Sequence, residues 1–217
     1  MFDAFPRRHP GMNIWEAVGT GFNSGFVPRN HGATTQSSVG WVDVDDDELG
    51  AGSYNFSNHE KEIKREEIRK WRVGRCWEVL EALGPTSWQH SSSLPPTSLP
   101  SQLKKTQACT EETITFASIP FSSISPGEQR LVLLMRALVG RPPLVLLDEA
   151  WSGMDDGMMS AARRYLRGDF AAAAPPTCAD HGTAGVGVGE DQAVVVITHW
   201  EDEVPWVGEE VKKFRLD

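Results

Sequence analysis

Two uninterrupted apolar runs and several stretches of helical periodicity organise this chain. Leu144-Val145-Leu146-Leu147, entered from Pro142-Pro143, and Val194-Val195-Val196-Ile197 are short, aliphatic and free of charge. Runs of this kind predict strands buried on both faces of a parallel sheet. Leu131, Leu134, Met135 and Leu138 recur at helical spacing. Ser125, Pro126 and Glu128 supply an N-cap, a first-turn proline and the distal member of a capping box, while Gly140 and Pro142 close the helix. A second helix is predicted from Lys61 to Leu83, with Val73, Cys76, Trp77, Leu80 and Leu83 as its apolar stripe and Gly84-Pro85 as its stop. A third, amphipathic, is predicted over 12–19. Three polar or low-complexity stretches punctuate these elements: 28–58 with its acidic run Asp43 to Glu48, the Ser/Pro/Thr-rich 85–112, and the Gly/Ala-rich 168–190. All three read as linkers or insertions.

Composition narrows the function classes. A formal charge of −9 and a pI near 5.2 argue against nucleic acid or an anionic membrane as partner. No apolar run reaches the 18 residues of a membrane span, and Met1-Phe2-Asp3 opens neither a signal nor a transit peptide. Cys76, Cys109 and Cys178 have no metal or redox spacing and suggest reduced thiols. The expectation is a soluble intracellular protein of the cytoplasm. The eight tryptophans suit core and interface packing better than a cofactor cage.

The chemistry concentrates where the strands end. Ligands of parallel sheets sit at the carboxyl ends of strands, and Asp148 and Glu149 fall there. One such acid can hold Mg²⁺ through water and its neighbour can polarise an attacking water. Acidic pairs after a strand also serve as plain helix-start signals. The Ser125 turn has the same double reading, since a capped helix start needs no ligand yet offers free amides to an anion. His199 follows the second apolar run, where a lone histidine is ordinarily a capping or surface residue.

Order and spacing favour the chemical reading. Ser125-Pro126-Gly127-Glu128-Gln129-Arg130, Arg136-Ala137-Leu138, Asp148-Glu149, Ser152-Gly153-Met154-Asp155 and His199 follow one another without a break in the order. This series resembles the signature motif, Walker B, D-loop and switch histidine of ATP-binding cassette (ABC) ATPase domains. Met12 to Phe22, with Gly21, Phe22, Gly25 and Phe26, is similar to the start of the helical subdomain in soluble cassette proteins of the molybdate-transport type and their fungal relatives. The resemblance implies an α/β fold, a partial P-loop NTPase-like arrangement of helical subdomain plus the distal part of a parallel sheet. It divides the chain into 1–119, a helical-subdomain remnant with insertions, and 120–217, the part carrying the motifs. It also implies roles: Ser125, Gly127 and Glu128 at a γ-phosphate bound in trans, Asp148 as the Mg²⁺-side acid, Glu149 as general base, His199 as γ-phosphate sensor, and Asp155 as the coupling residue between paired sites. ATP and Mg²⁺ are the implied ligands, and another ABC ATPase domain, in cis or in trans, is the implied partner.

What the resemblance requires and the chain lacks is a phosphate loop. Such a loop needs Gly-Lys followed by Ser or Thr, yet none of the seven lysines, Lys61, Lys64, Lys70, Lys104, Lys105, Lys212 and Lys213, follows a glycine. No Q-loop glutamine or adenine-stacking aromatic can be placed upstream either, as though the chain starts after them. Charge-assisted hydrogen bonds contribute about 1.5–3 kcal/mol each. Three or four lost phosphate contacts therefore forfeit roughly 5–10 kcal/mol, against about 8 kcal/mol for micromolar binding. ATP binding by these residues unaided is expected to be weak or undetectable. Pro126 and Glu128 replace a glycine and a glutamine of the family pattern, removing an amide and adding negative charge near the anion site, and Ala150-Trp151 replaces its proline and small residue. The expected function is thus ATP binding and hydrolysis with the phosphate loop supplied elsewhere. The alternative is a non-catalytic half-domain that completes a partner's site or serves only interaction.

Overall fold

The computed structural model describes residues 12–22, 57–88, 111–168, 187–189, 191–200 and 203–206. Its elements in chain order are α1 (Ile14–Gly19), α2 (Asn58–Leu83), α3 (Pro85–Trp88), α4 (Glu111–Ser118), a 3₁₀ turn (Phe121–Ser123), α5 (Pro126–Val139), β1 (Leu144–Asp148), α6 (Asp156–Arg167) and β2 (Ala193–Ile197).

Helix starts follow their local chemistry. Asn13, Ser57 and Ser125 each accept a hydrogen bond from the amide three residues on, and the Glu16, Glu60 and Glu128 carboxylates each accept one from the cap N–H. The Ser57 box extends α2 three residues beyond the predicted start at Lys61. Gly84 ends α2 as expected, but Pro85 opens the short turn α3. Proline suits a first helical turn because its missing N–H costs nothing there. With α4, this corrects the reading of 85–112 as filler at both its ends. The rest of that stretch, and most of 28–58 and 168–190, lie outside the described residues, as do Cys109, Cys178, Gly25 and Phe26.

α5 is the central strut. It packs on α1, α2 and α6 and buries Leu131, Val132, Leu134, Met135, Leu138 and Val139. The α1 segment is stitched alongside by Ile14 N–H to the Ile119 carbonyl (3.0 Å) and Phe121 N–H to the Met12 carbonyl (2.9 Å). It then meets α5 at a contact only glycine permits: a Cβ on Gly21 would lie 1.9 Å from the Arg136 carbonyl oxygen. Beside it, Arg136 Nε donates to Thr20 Oγ1 at 2.9 Å.

The far end of α5 is closed by a buried cation. Arg75 sits on the apolar side of α2 and reaches the Val139 carbonyl (3.4 Å), the Leu138 carbonyl (3.5 Å), Tyr165 Oη (3.2 Å) and Glu78 Oε1 (2.5 Å). Carbonyls at a helix C-terminus lack i+4 donors, and a guanidinium reaches two of them here, adding to the Arg141 N–H already on the Leu138 carbonyl (3.2 Å). Burial pushes the Tyr165 hydroxyl and the neighbouring Cys76 thiol above their ordinary ranges, with Arg75 opposing in both cases.

An alkaline loss of stability follows from those two groups. A group whose folded pKa is raised stabilises fully below its unfolded value, about 8.5 for cysteine and 10 for tyrosine, and this contribution is lost as pH rises toward the folded value. Between pH 8.5 and 10 the thiol contribution lost is on the order of 2 kcal/mol. Urea midpoints across this range should fall less steeply in Cys76→Ala than in the parent chain. Parallel pH curves for the two would contradict a buried, proton-retaining thiol.

β1 and β2 run parallel in register, Leu144 opposite Ala193, Leu146 opposite Val195 and Asp148 opposite Ile197. α6 lies between them in the chain, and among the described residues they form the whole sheet. The expectation of strands buried on both faces needs correction. Val145 and Leu147 are buried and Val194 and Val196 pack half-buried against the same core. The opposite face is open, with Leu144 60%, Leu146 54%, Val195 45% and Ile197 42% exposed. An apolar run reports what a strand is suited to bury, and the helices described here cover only one side of this one.

Candidate functional site

The carboxyl ends of the two strands converge on three residues. Asp148 closes β1 and is exposed. Glu149 extends the ladder by one more bond, its N–H donating to the Ile197 carbonyl at 3.0 Å, and then turns sharply at φ 45°. Left-handed backbone in a non-glycine residue costs of order 1–3 kcal/mol and persists only where its surroundings hold it. Here the turn brings Glu149 Oε1 to 2.9 Å from Nε2 of His199, two residues past β2. Both side chains remain open to solvent. Register and strain together therefore assemble a carboxylate–imidazole pair from residues fifty apart in sequence, beside a second carboxylate.

The residues after Glu149 form a compact turn. Ser152 N–H donates to the Glu149 carbonyl (3.2 Å), Met154 N–H to the Trp151 carbonyl (3.0 Å), and Gly153 takes φ 81°. Trp151 is its anchor, 1% exposed within the core. Asp155 ends the turn as N-cap of α6, accepting from Met158 N–H at 2.8 Å.

The start of α5 packs against this turn. Gly127 is buried, and a Cβ there would meet the Gly153 carbonyl oxygen at 2.4 Å. Its lack of a side chain is thus required by packing, whatever it does toward a ligand. Arg130 Nη1 lies 3.4 Å from the Glu149 carbonyl. Ser125 is exposed, its Oγ accepting from Glu128 N–H (3.3 Å) while Glu128 Oε2 accepts from Ser125 N–H (2.8 Å).

The seven residues singled out from the sequence thus fall into two joined groups. Asp148, Glu149 and His199 share the strand ends. Ser125, Gly127, Glu128 and Asp155 belong to the α5 start and the turn beneath it. Arg130, the link between the groups, was not among the expected site residues. Its signal was available, since it sits on the same first turn of α5. Trp200, 67% exposed beside His199, was likewise passed over. Among the described residues no set of three or more His, Cys, Asp or Glu side chains is placed to hold a metal ion. Asp148 suits Mg²⁺ only in part, as that ion keeps several waters and binds through one or two carboxylates plus phosphate oxygens.

Comparison with known proteins bears on this geometry. An ABC transporter ATP-binding protein of Schizosaccharomyces pombe is 37% identical over 86 residues, 40% of this chain and 14% of that protein. The chain resembles the ABC family. The ABC transporter ATP-binding protein ModF of Escherichia coli is 46% identical over 50 residues, 23% of this chain and 10% of its own length. The zinc import ATP-binding protein ZnuC of a Ruegeria species is 39% identical over 64 residues, covering 27% of this chain and 25% of the relative. The chain therefore matches a quarter or less of each of these ABC relatives. No family model matches the chain, and no solved structure matches it. Among the described residues no helix is long and apolar enough to cross a membrane.

Proposed function

We propose that this chain carries the signature, Mg²⁺-side and water-activating portion of an ABC-type ATP hydrolysis site, completed by a phosphate loop from another ABC domain in cis or in trans. The observation that supports it is the Glu149–His199 pair at 2.9 Å at the mouth of two parallel strands, beside Asp148. Glu149 accepts a proton from the attacking water, its carboxylate oriented by the imidazole. His199, two residues past the second strand, reports the state of the γ-phosphate. Asp148 would be the residue to hold Mg²⁺, and the ion, when bound, would neutralise charge on the phosphate oxygens. Ser125 and Gly127 meet the γ-phosphate of a nucleotide held by the partner, and Asp155 couples the paired sites.

The capping box at Ser125 favours a second reading, a half-domain that completes a partner's site without turnover of its own. Its hydroxyl and amide are both engaged by Glu128, which sets a carboxylate beside the place a phosphate must approach.

Calorimetry separates the need for a supplied loop from an autonomous site. Titration of the 217-residue chain with Mg-ATP is expected to show no binding tighter than about 10 μM, some 7 kcal/mol. Fusion to a segment carrying Gly-x-x-x-x-Gly-Lys-Ser/Thr should restore binding and slow turnover. A tighter constant in the unfused chain contradicts the requirement for an added loop, and a fusion that binds without turnover favours the half-domain.

A further inference from the structure

We propose that Arg130 is a positioning residue for Glu149, an inference that rests on the water-activating reading of that carboxylate. The peptide units on both sides of the Glu149 Cα are fixed. Its N–H is held by the Ile197 carbonyl at 3.0 Å, and its carbonyl accepts Ser152 N–H at 3.2 Å and Arg130 Nη1 at 3.4 Å. Fixing both units fixes the Cα–Cβ direction between them, and with it the approach of the carboxylate to His199.

This restraint matters because Glu149 stands at φ 45°. A residue with a Cβ leaves the left-handed region readily unless it is held there. Ile197 belongs to the sheet and Ser152 to the turn itself. Arg130 is the contact that ties the Glu149 carbonyl to α5. Released from it, the carbonyl depends on a bond internal to the turn, which can rotate as a unit and carry the carboxylate away from the imidazole. Gly127 against Gly153 fixes the same turn one residue beyond its Ser152 bond, so α5 grips it at two points. The Arg130 side chain is exposed. Exposed charged contacts contribute little to global stability, so its effect belongs to local geometry.

The test uses the full chain, dilute and labelled in its histidine rings, with the His199 resonance identified by its loss in His199→Gln. Glu149→Gln removes the carboxylate and should move that resonance. Arg130→Ala should move it in the same direction by at least half as much, Arg130→Lys should restore most of the parent position, and thermal midpoints should stay within about 2 °C of the parent. A resonance indifferent to Arg130→Ala overturns the proposal. So does one indifferent to Glu149→Gln, because no pair then exists to be positioned. A shift in Arg130→Ala accompanied by a clear fall in the midpoint and no rescue by lysine assigns Arg130 to packing and also overturns it. If the resonance behaves as expected while turnover of the loop-bearing fusion survives Glu149→Gln, the positioning stands and the base assignment fails.

Discussion

Glu149→Gln, in a form of the chain provided with a phosphate loop, is expected to cut ATP turnover by about 10²–10⁴-fold, the range for loss of a positioned general base. Nucleotide binding should persist. The amide keeps the size of the carboxylate and can still hydrogen-bond, so the turn at φ 45° and its ladder bond to Ile197 remain. What is lost is the capacity to take a proton from water. Asp148→Asn one residue earlier should act differently, weakening Mg-ATP binding itself because the metal's water-mediated anchor loses its charge. Turnover assays beside equilibrium binding distinguish the two variants. A rate within a factor of about two of the parent in Glu149→Gln is too small for a general base and would remove that role.

Trp151→Ala is expected to destabilise the fold by about 3–5 kcal/mol, the range for truncating a large buried aromatic. Trp151 is 1% exposed and anchors the turn that carries Glu149, Gly153 and Asp155. Trp151→Phe should cost clearly less. Nε1 of Trp151 has no hydrogen-bond partner among the described residues, so the smaller ring forfeits volume without breaking a polar contact. Denaturant unfolding of the three proteins gives the order parent, Phe, Ala. Equal losses for Phe and Ala would show that the indole N–H holds something its surroundings do not reveal.

Much of this architecture was readable in the residues. Ser125, Pro126 and Glu128 fixed the start of α5 because capping is local chemistry, and Leu131 to Leu138 fixed its buried side because helical periodicity is a geometric filter. Asp148, Glu149 and His199 could be placed at strand ends for the same reason, but not their approach. That depends on the in-register pairing of β1 with β2 and on one left-handed residue, and glutamate carries no sign of such backbone. Arg75 shows another limit. A cation on an apolar stripe looks like an interruption until Leu138, Val139 and Tyr165, sixty to ninety residues away, supply its acceptors. The strands misled for a converse reason. Four aliphatic residues in a row cannot say how many layers will cover them.

Alternation along β1 gives that open side a further meaning. Leu144, Leu146 and Asp148 are two residues apart and share a face, with Val195 and Ile197 beside them. Apolar surface and the Asp148 carboxylate therefore belong to one continuous strip. Whatever comes to shield the leucines is delivered, by the same docking, to the carboxylate. On the function proposed above, thermodynamic linkage then runs both ways: a ligand held at that carboxylate strengthens the coverage by RT ln(1 + [L]/Kd), about 2.7 kcal/mol at a hundredfold excess over Kd.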